Sequence, residues 1–154
     1  MRWLSQVLAA LLLLTAPGVR ADSRDVTVVT LEFAPYVASS LPNQGWAWEL
    51  AERILVAQGY RPRLQIMPWA RAVELTRKGL ADALYMANIN AERQQWAVFT
   101  APVGEERSVA FLRRDREIEF TRVEELAPYR VAGIRGAHVV GLLRAAGVEV
   151  NELS

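Results

Sequence analysis

Hydrophobic and polar positions change their period several times along the first half of the chain. Three short runs rich in β-branched and aliphatic residues have the length and composition of buried strands. These runs are residues 25–31, 63–67 and 83–86. Between them lie two longer segments with apolar residues at helical spacing, each closed by a glycine. Strands that alternate with helices in this way predict right-handed βαβ units and a mainly parallel sheet covered on both faces.

The two predicted helices cover residues 46–58 and 69–78. In the first helix, four apolar residues recur at positions i, i+3, i+4 and i+7, a spacing that places them on one face. They are Ala47, Leu50, Ala51 and Ile54. We expect this face to pack against the sheet, and we expect the tryptophans at the start of the helix to pack in the core or at its edge.

The second half of the chain repeats the alternation in a shorter form. An alternating run at residues 107–113 predicts another strand, and a charged segment follows it. The pattern then predicts a helical turn, a strand, a helix and the start of a further strand. These elements are residues 123–126, 131–134, 137–146 and 148–150. These few elements are not enough to form a complete second unit with a buried core. We therefore expect the chain beyond about Arg113 to be sensitive to proteases.

The N-terminal segment has the pattern of a cleaved export signal. Arg2 precedes an apolar run at residues 4–14, and a Pro-Gly pair follows that run. A small-x-small type site ends at Ala21, so we predict a signal peptide over residues 1–21 and a periplasmic protein. An uncleaved anchor stays open as the alternative, although the apolar run is shorter than the roughly 20 residues of a membrane span.

Composition and charge narrow the classes of function. The 154 residues are 52% hydrophobic, enough for one compact core, and the formal net charge of +1 does not suggest a nucleic acid or an anionic membrane as partner. The chain has no cysteine, which excludes disulfide and thiolate chemistry, and its single histidine, His138, belongs to no metal-binding cluster. We therefore expect no metal and no cofactor.

The polar bend after the third predicted strand is the first candidate binding site. Asn88 lies in this bend, and Asn90 is a good N-cap for a short helix that would expose free N–H groups in its first turn. Arg93 falls in that turn, where the helix dipole disfavours a cation unless an anion lies against it. Glu92 is one candidate for that anion, and a solute carboxylate held by the guanidinium is the other.

Aromatic residues follow the first two predicted strands at the carboxyl edge of the sheet, where open α/β sheets bind ligands. Phe33 and Tyr36 flank a proline after the first strand, and they either cover a ligand or seal the sheet edge. Glu32 either meets a ligand amino group or is solvated. Trp69 follows the second strand, and its indole either stacks on a ligand or packs on the sheet.

Three groups of residues near the third predicted strand stand in the order and spacing of a known family. They are Asp82-Ala83, Glu92-Arg93-Gln94-Gln95 and Phe99-Thr100-Ala101-Pro102. This stretch resembles the solute-binding proteins of bacterial ABC transporters, in particular family 3, which captures polar amino acids. The resemblance implies an α/β fold of the periplasmic binding protein-like type II, with a first lobe of mainly parallel sheet over residues 22–112. Residues 113–154 would be the hinge crossing and the incomplete start of a second α/β lobe.

The resemblance also implies roles for individual residues. In the family, the arginine at the position of Arg93 binds the ligand carboxylate, and the aromatic at the position of Phe33 covers the ligand. The string from Pro68 to Ala72 resembles a branch of the family in which the aromatic, here Trp69, lines the pocket. Residues 135–138 would face the same cleft. The serines and threonine usual in the bend are replaced by asparagines and Met86.

The implied function is that of a monomeric periplasmic binding protein and not of an enzyme. It would capture a small carboxylate-bearing solute, such as a polar amino acid, and deliver it to the permease of an ABC transporter. One alternative is the periplasmic ligand-sensing module of a signalling receptor. Another is a dehydratase-like enzyme on the same fold, for which Glu32 and His138 are the only loose acid–base candidates.

Overall fold

The computed structural model describes residues 24–153, so the predicted signal peptide lies outside the described residues. The first sheet consists of β1 (Arg24–Thr30), β2 (Tyr60–Ile66) and β3 (Ala83–Leu84) in the order β2-β1-β3. Both strand pairs are parallel. Helix α1 (Trp46–Ala57) connects β1 to β2, and α2 (Trp69–Arg77) connects β2 to β3. The predicted parallel βαβ arrangement is confirmed.

The central strand β1 is covered on both faces, because alternate residues of a strand point to opposite sides. On one side, Val28 packs with Ala47 and Trp48 of α1. On the other, Val29 packs with Ala72 of α2 and with Ala81. Both helices therefore hold the carboxyl ends of β1 and β3 in place, which is the edge that carries the predicted site residues.

The predicted inward face of α1 is wrong at two positions. Leu50 and Ile54 are 47% and 52% exposed, whereas Trp48 is only 2% exposed. The Trp48 indole packs edge-on against the ring of Tyr85, with 6.1 Å between the ring centroids. Burying this large aromatic surface favours a rotation of the helix that turns Trp48, Ala51 and Leu55 inward and leaves Leu50 and Ile54 in solvent.

The second sheet is a shorter copy of the same unit. Strands β4 (Val131–Ile134) and β5 (Val150–Leu153) are parallel, with α3 (His138–Ala145) between them. A small apolar core lies under α3. It consists of Leu126, Val140, Leu143, Val148 and Val150. The predicted strand–helix–strand order is confirmed, although β5 begins two residues later than predicted. No helix among the described residues is long and apolar enough to cross a membrane.

The strand predicted at residues 107–113 is wrong. Residues 97–122 contain no helix or strand, and Phe111 is 94% exposed. An alternating pattern becomes a strand only where a neighbouring strand supplies backbone hydrogen bonds and one face is buried. Neither condition is met within the described part of the chain, because residues 103–117 are exposed on both sides.

Gly45 holds the loop after β1 against the start of α1. Its φ of 105° and ψ of 150° lie in a region that is essentially restricted to glycine. A Cβ atom at this position would lie 2.3 Å from the carbonyl oxygen of Tyr36, which accepts the N–H of Ala47. A side chain would therefore break this junction.

We expect Gly45→Ala to lower the free energy of unfolding by about 1–3 kcal/mol, because it adds backbone strain and a steric clash. Chemical denaturation followed by tryptophan fluorescence measures this change. Gly141→Ala is the matched control, since Gly141 lies within α3 with no atom within 4 Å of its added Cβ. In the control, the free energy of unfolding should rise by about 0.5–1 kcal/mol, because alanine favours a helix more than glycine does. Similar effects of both substitutions would contradict the assigned role of Gly45.

We expect limited trypsin digestion to cut first within residues 97–122, because exposed backbone without regular structure fits a protease most easily. The cleavage sites there include Arg107, Arg113, Arg114 and Arg116. Mass spectrometry of the first fragments locates the cuts. First cuts inside β2 or α2, after Arg63 or Arg77, would show that the exposed segment is protected in solution.

Candidate functional site

The bend after β3 connects this strand to the turn that carries Arg93. Met86 adopts a left-handed conformation with φ of 60° in the turn that follows the strand. Just before it, the carbonyl of Tyr85 accepts a hydrogen bond from the Thr30 hydroxyl at 3.2 Å, which ties the bend to the end of β1. A left-handed non-glycine residue is strained, and such residues often occur at binding sites.

Asn90 caps the turn that follows, as predicted. Its side-chain oxygen accepts the backbone N–H of Arg93 at 2.8 Å, and its carbonyl accepts the N–H of Gln94 at 3.1 Å. However, the turn is a single 3-10 turn, Arg93–Gln95, and not a helix. Because the Arg93 N–H already bonds to Asn90, the prediction that this group is free to bind an anion is wrong.

The guanidinium of Arg93 is the chemical centre of the site. Arg93 is 3% exposed. Its Nη1 donates to the carbonyl of Asn88 at 2.9 Å, and its Nη2 donates to the carbonyl of Gly136 at 3.2 Å. Its Cζ lies 5.3 Å from the centroid of the Trp69 ring, which is cation–π distance. The bend, the start of α2 and the β4–α3 turn thus meet at one side chain.

This buried cation has no direct carboxylate partner in the described part of the chain, because none of the ion pairs found there includes Arg93. Burial lowers the pKa of Arg93, while the more distant charges of Glu92 and Glu106 oppose this effect. Glu92 instead accepts the indole N–H of Trp96 at 2.8 Å, and Glu106 accepts the Asn88 amide at 2.9 Å. A buried charge held only by neutral groups favours an added anion.

Trp69 is part of the same cluster and is 6% exposed. Its indole N–H donates to the Gly136 carbonyl at 2.9 Å, so this oxygen accepts from both Trp69 and Arg93. Asn90 adds another contact to the same turn, since its amide nitrogen lies 3.3 Å from Nδ1 of His138. An amide nitrogen only donates, so the His138 nitrogen is the acceptor.

The other predicted site residues form a separate group in the loop after β1. The Glu32 carboxylate accepts the N–H of Ser39 at 3.1 Å and its hydroxyl at 2.5 Å. The rings of Phe33 and Tyr36 stack with 5.1 Å between centroids, and each residue is 37% exposed. Tyr36 also lies 5.5 Å from Trp46. None of the hydrogen bonds or aromatic contacts described for residues 24–153 joins this group to the Arg93 cluster.

A cavity of ≈ 210 Å³ lies beside Trp69, between the start of α2 and the ends of β4 and β5. It is lined by Pro68, Trp69, Ala70, Arg71, Ile134, Arg135 and Leu153. Arg135 already pairs with Glu152 at 3.2 Å. Sequence reasoning named Trp69 but missed the Gly136 carbonyl, because a backbone acceptor has no residue-type signature. Only the expectation that residues 135–138 face the cleft pointed to it.

A scan against protein-family models and a search of curated proteins gave no match to the sequence. The solved structures that are similar to this chain include two at 20% sequence identity each. One is an ancestral arginine-binding protein bound to arginine, with a TM-score of 0.60, covering 84% of this chain and 60% of that chain. The other is the GluR0 ligand-binding core from Nostoc punctiforme in complex with L-glutamate, with a TM-score of 0.62, covering 83% and 59%.

These likenesses establish the fold. The expected α/β fold of the type II periplasmic binding proteins is confirmed, with its parallel sheets and three helices. The chain spans about three fifths of the length of both similar structures.

We expect Asn90→Ala to lower the free energy of unfolding by about 0.5–2 kcal/mol, because the Arg93 N–H loses its cap. Thermal or chemical denaturation measures the change. Asn88→Ala is the control, since the hydrogen bond described for its side chain is to the exposed Glu106 and its carbonyl acceptor for Arg93 is retained. Equal losses in both variants would show that the Asn90 cap does not hold the turn.

Proposed function

We propose that this chain is the ligand-binding part of a periplasmic solute-binding protein that captures a small carboxylate-bearing solute, such as a polar amino acid. Residues 22–112 form the first lobe in this proposal, and residues 113–154 form the hinge crossing and part of the second lobe. The solute is delivered to the permease of an ABC transporter. The protein acts as a monomer, reaches the periplasm by the signal peptide at residues 1–21, and catalyses no reaction.

The observation that carries this proposal is the buried Arg93 guanidinium. It is 3% exposed, it is held by two backbone carbonyls and one indole ring, and no carboxylate of the described residues pairs with it. A guanidinium binds a carboxylate through two parallel hydrogen bonds, which gives both strength and orientation. A side chain so enclosed is already oriented, so little conformational entropy is lost on binding.

The ligands of the two similar structures support the same chemistry. Arginine and glutamate have side chains of opposite charge, and what they share is the carboxylate and amino group of an α-amino acid. A site for this shared part needs a fixed cation, and Arg93 supplies one. The proposal therefore assigns the solute carboxylate to Arg93 and leaves the solute side chain to other residues.

The remaining candidate residues have supporting roles in this proposal. Trp69 forms the apolar wall beside the guanidinium, and Asn90 holds the turn that carries Arg93. Phe33 and Tyr36 are stacked and partly exposed, so they can cover a solute at the outer edge of the sheet. Glu32 is held by Ser39 and presents a carboxylate that could meet the solute amino group. The Asn88 side chain lies at the rim and keeps Glu106 near the site.

Isothermal titration of the purified protein with amino acids and small organic acids tests the function. We expect at least one of them to bind, and we expect Arg93→Ala to weaken its binding by about 2–5 kcal/mol, because the solute carboxylate loses its charged partner. Arg93→Lys should recover only part of the loss, since an ammonium cannot form the two-bond fork.

Arg77→Ala is the matched control, because Arg77 is an exposed arginine that pairs with Glu74 on α2. It should bind solute like the wild type. Absence of binding to every carboxylate-bearing solute by a folded protein would refute the function. Normal affinity in Arg93→Ala would refute the role of Arg93 alone.

A further inference from the structure

We propose that the carbonyl of Gly136 is a built-in competitor for the solute carboxylate. In this arrangement, the β4–α3 turn (residues 135–137) plugs the anion site at Arg93 and must withdraw before a solute binds. The inference rests on the proposed function and adds a regulatory contact to the same site.

The first support is the convergence of two donors on one oxygen. Arg93 Nη2 and Trp69 Nε1 donate to the Gly136 carbonyl at 3.2 and 2.9 Å. A carbonyl oxygen has two lone pairs, so these bonds use its full capacity. The oxygen therefore occupies the position on the guanidinium that one oxygen of a bound carboxylate would take.

The second support is the enclosure of the guanidinium. Because Arg93 is 3% exposed, a carboxylate does not reach it unless one of the enclosing groups moves. The Asn88 carbonyl belongs to the same bend as Arg93, and Trp69 begins a helix packed on the first sheet. Gly136 belongs to the other sheet unit and is the group that can withdraw without disturbing the first core.

The third support is the close fit of the turn. Gly136 has a φ of 75°, and a Cβ atom there would lie 3.5 Å from the Cα of Ala70. The backbone of the turn thus lies against the start of α2. The hydrogen bond between Asn90 and His138 holds the residue two positions further on, so the residue that follows the plug is also tied to the bend that carries Arg93.

The plug is replaceable because its acceptor is neutral. In the Arg93–Gly136 hydrogen bond only the donor is charged, whereas a carboxylate pairs opposite charges and forms two parallel bonds with the guanidinium, so a solute displaces the carbonyl. The apparent affinity is then reduced in proportion to the fraction of molecules with an open site. The turn therefore sets the apparent affinity for the solute although it makes no contact with the bound solute.

An engineered disulfide tests the plug directly, because the chain contains no cysteine. In Ala70→Cys/Gly136→Cys, the two Cβ atoms would be 3.7 Å apart, and disulfides have Cβ separations of about 3.5–4.5 Å. We expect the cross-link to form under mild oxidation without solute. L-Arginine or L-glutamate, whichever the wild type binds, should slow it about tenfold or more at saturation. The oxidised protein should bind no solute, and reduction should restore binding.

A second arm needs no solute. Adding Arg93→Ala to the cysteine pair should slow cross-linking several-fold, because the turn loses one of its two donors. The single cysteine variants report on the folding of the strained position 136. Unchanged cross-linking in the Arg93→Ala background, or oxidised protein that binds as well as reduced protein, would overturn the plug. If the wild type binds no solute, the proposed function fails, while this second arm still decides whether Arg93 holds the turn.

Trp69→Phe gives an independent test without cysteines. Phenylalanine keeps an aromatic wall beside Arg93 but cannot donate to Gly136. The plug predicts that solute binds about two- to fivefold more tightly to this variant, because more molecules have an open site. A purely structural or stacking role of Trp69 predicts unchanged or weaker binding, and that result would contradict the inference.

Discussion

The guanidinium of Arg93 is enclosed by groups from three separate parts of the chain. The bend after β3 supplies the Asn88 carbonyl, α2 supplies the Trp69 ring, and the β4–α3 turn supplies the Gly136 carbonyl. A charge this deeply buried is tolerated only when its donors are satisfied. The need to satisfy it therefore links the two sheets, since each sheet unit provides only one of the two carbonyl acceptors described for this side chain.

The geometry of the first sheet makes this convergence possible. Parallel strands connected by helices bring their carboxyl ends to one edge, so Thr30, the bend after β3 and the start of α2 come close although they are far apart in sequence. Short-range contacts then adjust the details, including the left-handed backbone of Met86 and the cap from Asn90. The sheet topology thus brings the segments of the site together, and individual side chains then fix their local conformation.

Local signals in the sequence predicted those features that depend on local physics. The ends of α1 and α2 at Gly59 and Gly79, and the capping role of Asn90, follow from short-range backbone preferences. The errors arise where distant contacts decide. Trp48 displaces Leu50 from the core, and residues 107–113 lack a strand partner. The acceptor for Arg93 was missed for the same reason, because a carbonyl 43 residues away has no pattern in sequence.

Strand β2 lies at the edge of its sheet with a proline in its interior, a feature that bears on self-association. An exposed edge is a template to which another chain can add a strand, and edge prolines and charges oppose this. Pro62 lacks an N–H donor, and it is flanked by Arg61 and Arg63, which are held by Asp25. The start of this strand thus discourages the edge-to-edge pairing that leads to oligomers and fibrils.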